Sequence, residues 1–299
     1  DRFRRLVGQP FCLAGTHYSN MEYAAQFGLQ SLLGGIIRSV PSSHLLRDPI
    51  FGAVAVAMQD NGFMFVDRKG GDDEVGRLRR EAVENRRRWP LPFAPLVHVP
   101  GKRAPIVEDG PHRLEGPGYV PLPGGITILA RALGEEGKSA LVVPLAVIGS
   151  GRIDPPGRLR KMTGQTIVVR AGEPFRIEDL PYGLEEIAER LVQELEELTG
   201  FPSGPRHNGE RLPTIVSAGN LRSVRREVRR RVRSRDRKNL RDLAIVFPFA
   251  EESGHLDLLR GILDDEGWPQ NKPVTAFYRE SDRDSPQGYT FRRREVHRG

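Results

Sequence analysis

Short runs of apolar residues alternate with longer amphipathic stretches through the first two thirds of the chain. Several of the apolar runs are continuous rather than alternating, which is typical of strands in a sheet that is covered on both faces. The stretches between them repeat apolar residues at helical spacing. Strands are predicted at 11–15, 36–40, 62–66, 93–99, 140–148 and 166–170, and helices at 20–33, 48–58, 72–88 and 124–133.

Repeated strand–helix–strand units predict an α/β fold with a mostly parallel central sheet flanked by helices. Asp72 stands before an Ala/Glu/Leu/Arg-rich stretch and is predicted to cap the N-terminus of that helix. A further amphipathic helix is predicted at 183–198, and the Pro/Gly-rich segment after it marks a domain boundary near residue 200. The predicted domains are therefore an α/β domain at 1–200 and a C-terminal extension at 201–299.

The extension is predicted to be small, basic and α+β, with strands at 243–247, 274–278 and 289–292 and a helix at 255–263. The chain of 299 residues carries 46 Lys and Arg against 39 Asp and Glu, a net charge of +7. All of that excess lies in 201–299, which indicates an anionic partner such as a phospholipid surface or a nucleic acid.

The segment 221–241 holds eleven Lys or Arg against two acids, with Leu221, Val224, Val228 and Val232 at helical spacing. One reading is a solvated helix that packs its apolar stripe on the α/β domain at 1–200. The other is an electrostatic anchor to an anionic membrane surface, with shallow insertion. No RNA-binding or helix-turn-helix pattern is present, so nucleic acid is the least favoured partner.

Cysteine content and hydropathy exclude several classes of protein. The single Cys12 excludes a disulfide framework and a cysteine-based zinc site. The longest apolar runs are shorter than ten residues, and about 20 are needed for a membrane-spanning helix. His44, His98 and His112 have no partners at metal-ligand spacing, so we read them as structural or surface residues and expect no metal. No phosphate-binding glycine loop is present.

The segment GTHYSNME at 15–22 is the most distinctive local feature of the sequence. It places His17 in a strand-to-helix turn and Glu22 in the first turn of the following helix. Such a carboxylate can hold one imidazole nitrogen while the other nitrogen takes a proton from a substrate hydroxyl. By spacing alone an ordinary surface turn is the alternative reading.

Four ordered blocks resemble the glycerolipid acyltransferase family, which includes the 1-acylglycerol-3-phosphate acyltransferases. That family opens with a strand and Asn-His-x-Ser-x-x-Asp, to which GTHYSNME is similar. Its next block resembles Pro49-Ile50-Phe51-Gly52 followed by Phe65-Val66-Asp67-Arg68. Later blocks resemble LVVPLAVIGSGRIDPPG at 141–157 and TIVVRAGEPF at 166–175. The resemblance covers about residues 10–198 and is collinear throughout.

Two departures from the family pattern concern the site. Glu22 replaces the usual Asp and is one methylene longer. The family's Phe-Pro-Glu-Gly-Thr-Arg block is matched best by Val99-Pro100-Gly101-Lys102-Arg103, which lacks the Glu and the Thr. By resemblance Lys102 and Arg103 would bind the acceptor phosphate, chemistry that suits both side chains. The Glu115-Gly116 pair stands on a longer loop downstream.

The resemblance implies an enzyme that moves a fatty acyl group from acyl-CoA or acyl carrier protein to a hydroxyl of a lysophospholipid or glycerol phosphate. His17 would act as the general base and Glu22 would orient it, with no cofactor beyond the acyl thioester co-substrate. Such a protein would be cytoplasmic and peripherally bound to membrane. The alternative is a catalytically weak, acyltransferase-like module that binds lipid or a partner, a reading kept open by the missing Glu and Thr.

Overall fold

The computed structural model describes residues 6, 9–18, 22, 28–31, 34–49, 52–67, 70–109, 112–153, 166–181, 183–204, 214–233 and 240–297. Most of the predicted helix 20–33 lies outside these residues, as do 50–51, Arg68, 154–157 and 234–239. The chain divides into two units. The first comprises Asp1–Gly101, Pro121–Val147 and Ile167–Leu198, and the second comprises Lys102–Val120, Ile148–Thr166 and Thr199–Gly299. The predicted domains 1–200 and 201–299 stay a prediction, because dense contact within a unit does not establish independent folding.

Five apolar segments of the first unit form its central sheet, and their order is β2-β3-β1-β6-β7. Their bounds are β1 (Phe11–Gly15), β2 (Ile36–Ser39), β3 (Phe93–His98), β6 (Leu141–Ile148) and β7 (Val168–Ala171). Strand β1 is parallel to both β3 and β6, and β2 is parallel to β3. All five residues of β1 are buried, as expected for a central strand covered on both faces. The mostly parallel sheet flanked by helices is thus confirmed.

Helices α1 (Gly52–Asp60), α2 (Gly71–Arg88), α3 (Gly124–Leu133) and α5 (Leu184–Thr199) accompany this sheet. The apolar face of α3 packs on β1 and also contacts α2. Short 3-10 helices cover Ser43–Arg47 and Ile177–Asp179. Strand β6 coincides with one continuous apolar run, and seven of its eight residues are buried.

Two predictions in this unit are wrong in detail. The apolar segment 62–66 is not a strand: Met64 and Phe65 are buried, but only Val66 forms a bridge, to Ser42. Helix α2 begins at Gly71 with Gly70 as its N-cap residue, so Asp72 lies in the first helical turn rather than capping it. An acid at that position still interacts favourably with the helix dipole.

The second unit contains a four-stranded sheet with the order β11-β10-β9-β8. Its strands are β8 (Thr214–Ser217), β9 (Leu243–Phe247), β10 (Val274–Ser281) and β11 (Tyr289–Glu295). Strands β8, β9 and β10 are parallel, and β11 is antiparallel to β10. Helices α6 (Leu221–Val232) and α7 (His255–Asp265) alternate with the parallel strands. This alternation differs from the segregated strands and helices of the predicted α+β extension.

Earlier segments of the chain also belong to the second unit. A hairpin of β4 (Ile106–Asp109) and β5 (His112–Glu115) and the single-turn helix α4 (Ser150–Ile153) were not predicted from the sequence. In the described part of the chain, no helix is both long and apolar enough to cross a bilayer.

Candidate active site

Strands β1 and β3 end at the same edge of the first sheet, and this brings together residues that are far apart in sequence. Gly15, the last residue of β1, stands opposite His98, the last residue of β3. A side chain at position 15 would place its Cβ 2.9 Å from Leu96 Cδ1, so a larger residue there would require the Leu96 side chain to shift. The residues that follow Gly15 therefore lie beside His98 at the carboxyl edge of the sheet, where parallel α/β sheets commonly bind ligands.

The predicted contact between His17 and Glu22 is present. His17 Nδ1 lies 2.9 Å from Glu22 Oε2, and the backbone amide of Tyr18 donates to Glu22 Oε1 at 2.5 Å. The Glu22 side chain is fully buried, whereas the His17 side chain is 18% exposed. The extra methylene of Glu22 thus does not prevent the carboxylate from reaching the imidazole.

His98, which the sequence indicates only as a structural or surface residue, lies beside His17 and Glu22. Its Nδ1 lies 3.3 Å from Glu22 Oε2 and 2.7 Å from the carbonyl oxygen of Thr16. Its ring stacks on that of His17 with 4.5 Å between the ring centroids. Burial lowers the pKa of His98 from its ordinary value; the nearby Glu22 carboxylate raises this pKa and His17 lowers it further.

The hydrogen-bond partners define the tautomer of each ring. A carbonyl oxygen can only accept, so His98 Nδ1 carries a proton that it donates to Thr16 and shares with Glu22. An ionised carboxylate also only accepts, so His17 Nδ1 is the protonated nitrogen of that ring. In a neutral His17 the lone pair is therefore on Nε2. This is the arrangement of a general base held by a carboxylate.

These three side chains also form a group of His and Glu residues whose ligand atoms all lie within 4.8 Å of one another. Two imidazoles and one carboxylate are a common ligand set for transition metals. The spacing of these residues along the chain does not predict this group, because His98 is far in sequence from His17 and Glu22. The contact between His98 Nδ1 and the Thr16 carbonyl requires a proton on that nitrogen, so His98 could bind a metal only through Nε2.

Lys102 and Arg103 are both exposed and lie in the turn that follows β3. The turn is closed by a hydrogen bond from the Gly101 amide to the His98 carbonyl and uses a positive φ of 69° at Gly101. The two cations are the first residues of the second unit, whereas His17, Glu22 and His98 belong to the first. Their predicted role in binding phosphate stays a prediction.

Glu115, the glutamate downstream of the position where the family motif has its Glu, lies in a buried and hydrogen-bonded environment. Its side chain is buried, and its two oxygens accept hydrogen bonds from the backbone amides of Gly149 at 2.9 Å and Gly151 at 2.7 Å. Tyr289 adds a contact, because its hydroxyl accepts from the Glu115 amide. These bonds give the Glu115 carboxylate a structural role within the second unit.

The arginine-rich helix α6 buries its apolar stripe against its own sheet. Val224 and Val228 are 1% exposed and pack with residues of β9, β10 and α7, and Leu221 and Val232 pack at the edges of the same core. The predicted stripe exists, but it packs in the core of the second unit and not on the predicted α/β domain at 1–200. The outer face of α6 carries exposed arginines. Several arginines of the helix form ion pairs, which are Arg225–Asp265, Arg229–Glu266, Arg230–Glu227 and Arg231–Glu227.

The comparisons with known proteins identify no family. No protein-family model matches the chain, and no curated protein matches it significantly.

Proposed function

We propose that the protein is an acyltransferase that moves a fatty acyl group from acyl-CoA or acyl carrier protein to a hydroxyl of a lysophospholipid or glycerol phosphate. The observation that carries the proposal is the 2.9 Å contact between His17 Nδ1 and the buried Glu22 carboxylate at the carboxyl edge of the sheet. Its spacing along the chain is that of the acyltransferase motif that GTHYSNME resembles.

In the proposed reaction His17 Nε2 takes the proton of the acceptor hydroxyl while the oxygen attacks the thioester carbonyl. The tetrahedral intermediate collapses with cleavage of the carbon–sulfur bond, and the imidazolium returns its proton to the leaving thiolate. An ester and a free thiol result, and no cofactor or covalent enzyme intermediate is needed. Cys12 is buried in β1, and burial raises the pKa of its thiol strongly, so it is a poor nucleophile.

Glu22 supports this chemistry electrostatically. Its carboxylate holds the Nδ1 proton of His17 and stabilises the imidazolium that forms during proton transfer. Because the carboxylate is buried, water screens this interaction little. General-base assistance of this kind is worth about 10²–10⁴-fold in rate.

Lys102 and Arg103 are the proposed contacts for the acceptor phosphate. The exposed guanidinium of Arg103 offers a planar fork that matches two phosphate oxygens, and the Lys102 ammonium adds a compact positive charge. Both lie in the turn after the strand that ends at His98, with Val99, Pro100 and Gly101 between, so they are close in sequence to the proposed site.

The exposed arginines of α6 are the proposed contact with an anionic membrane surface. The proposed enzyme is thus a cytoplasmic protein that binds membrane peripherally. Because the apolar stripe is buried in the second unit, binding would be electrostatic and without insertion. Each basic residue near an anionic leaflet contributes about 1 kcal/mol. Arg222 and Arg226 are exposed one helical turn apart and are suitable for charge reversal.

Binding to vesicles tests this contact. Arg222→Glu with Arg226→Glu should weaken binding to anionic vesicles, and raised salt should weaken wild-type binding steeply. The matched control is Arg79→Glu with Arg80→Glu, two exposed arginines of α2. Equal losses of vesicle binding in both double variants would show that net charge, and not the α6 surface, determines binding. If unrelated RNA at equal ionic strength strips the protein from vesicles and binds it more tightly, a nucleic acid is the partner.

The second candidate is a weak acyltransferase-like module that binds lipid or a partner, favoured by the absence of the motif Glu and Thr after Pro100. The purified protein is incubated with labelled acyl-CoA or acyl carrier protein and a panel of lysolipids and glycerol phosphate. Turnover that is lost in His17→Ala supports the enzyme, with exposed His44→Ala as the matched control. Lipid binding without turnover for any donor supports the module.

A further inference from the structure

Among the described residues, the Glu22 carboxylate accepts from three donors, one of which is the proposed base. Oε1 takes the backbone amide of Tyr18, while Oε2 is shared by the Nδ1 atoms of His17 and His98 at 2.9 and 3.3 Å. His98 is itself held by the carbonyl of Thr16, the residue directly before the base. Its side chain is 8% exposed, so protein atoms rather than solvent determine its position.

We infer that His98 is a positioning residue for the His17–Glu22 pair: its Nδ1–H bridges Glu22 and the Thr16 carbonyl, and its ring supports the His17 ring by stacking. This inference rests on the proposed function for the assignment of His17 as the general base. The hydrogen-bond network itself can be measured without any activity.

Two physical effects follow from this bridge. A second N–H on Oε2 draws negative charge away from the bond between Glu22 and His17, so the carboxylate stabilises the His17 imidazolium less strongly. A second imidazole at 4.5 Å also disfavours protonation of both rings at once. The ionisable groups that act on His98 are Glu22, which favours its protonation, and His17, which opposes it. Loss of the His98 N–H should therefore favour the protonated form of His17.

Two substitutions separate positioning from packing. His98→Asn places an amide N–H near the position of Nδ1 and so retains the donor to Glu22 and Thr16. His98→Phe keeps an aromatic ring for stacking on His17 but has no donor. A merely structural role for His98 would be preserved better by the ring than by the amide, whereas the inferred role would be preserved better by the amide.

The experiment is NMR titration of the His17 ring nitrogens in the full chain. In His98→Phe the pKa of His17 should rise by about one unit, because the carboxylate loses a competing donor. In His98→Asn it should stay close to the wild-type value. Equal pKa values in wild type and His98→Phe, or a larger shift in His98→Asn, would overturn the inference.

The wild-type spectrum provides a test that needs no variant to fold. His98 should be neutral at pH 7 with its proton on Nδ1, and a proton on Nε2 would overturn the inference. Kinetics distinguish this result from the proposed function. If the wild type transfers no acyl group but the His17 pKa responds to the His98 variants as expected, the function is wrong and the positioning role holds. If transfer occurs and His98→Phe leaves kcat unchanged, the positioning role is wrong.

Discussion

Replacing Glu22 by Gln should slow transfer strongly while keeping the shape of the site. The Gln oxygen can accept from the Tyr18 amide as Glu22 Oε1 does, but the amide nitrogen then faces the Nδ1 atoms of His17 and His98. His98 is held to the Thr16 carbonyl and must keep its Nδ1 proton. His17 can resolve the conflict only by accepting from the amide at Nδ1, which moves its own proton to Nε2. The nitrogen that should act as the base is then protonated.

The expected loss in kcat is about 10³–10⁴-fold, the size of effect that a wrong tautomer causes in a His–carboxylate pair. The clash with the His98 N–H should also lower the free energy of unfolding by about 1–3 kcal/mol, the cost of one buried unpaired donor. Turning the amide over does not avoid this, because its nitrogen would then face the Tyr18 N–H.

Initial rates of acyl transfer, circular dichroism and the NMR tautomer of His17 together test this prediction. The matched control is Glu84→Gln on the exposed surface of α2, which should be neutral for both rate and stability. A folded Glu22→Gln protein that retains more than about a tenth of the wild-type kcat would refute the reasoning, because general-base assistance alone is worth more than that.

Three further predictions concern binding and stability. Arg103→Ala should raise the KM for a phosphate-bearing acceptor far more than the KM for the acyl donor; steady-state kinetics with both substrates varied will show this, and the opposite pattern would contradict the assignment. Burial lowers the pKa of His98 from its ordinary 6.5, so the unfolded chain binds the proton more readily and the free energy of unfolding should fall as the pH is lowered below about 6.5. Urea unfolding at pH 7.5 and about 5.5 should show this loss in wild type and a smaller one in His98→Asn, and identical losses would exclude His98 as the cause. Glu115→Ala leaves the Gly149 and Gly151 amides without their acceptor, so it should lower the free energy of unfolding by about 2–4 kcal/mol, whereas the control Glu84→Ala should not change it measurably. A loss under about 0.5 kcal/mol in urea unfolding would contradict the structural role of Glu115.

Regular elements were predictable where the local pattern and the tertiary environment agree. Strand β1 and helix α3 have their predicted bounds, because continuous apolar runs and helical apolar spacing match their burial. The segment 62–66 has the same apolar content as a strand, but burial of Met64 and Phe65 occurs without a strand partner. Apolar composition predicts that a segment is buried, but it does not predict whether the segment pairs with a strand.

The site was predictable only as far as it is local in sequence. His17 and Glu22 are five residues apart, so the strand-to-helix turn is sufficient to expect their contact. His98 joins them because β3 lies beside β1 in the sheet, and the order of the strands cannot be read from the spacing of histidines. His98 ends β3 and His17 follows the end of β1 by two residues, and this shared position after parallel strands is the signal that would have found His98.

Helix α6 shows a further limit of sequence patterns. Leu221, Val224, Val228 and Val232 have the spacing of an amphipathic helix, and this spacing is the same whether a membrane or a protein core covers the stripe. The covering surface comes from strands β9 and β10 and helix α7, which follow α6 in the chain. The sequence pattern of these apolar residues does not predict which helix they will contact.

The most direct test of the central claim is the rate of acyl transfer from a labelled acyl thioester to a lysolipid or glycerol phosphate by wild type and by His17→Ala, with His44→Ala as control. The account predicts turnover in wild type and in His44→Ala, and a loss of at least about 10²-fold in His17→Ala with the fold intact by circular dichroism. Near-normal turnover in folded His17→Ala would contradict the assignment of His17 as the general base.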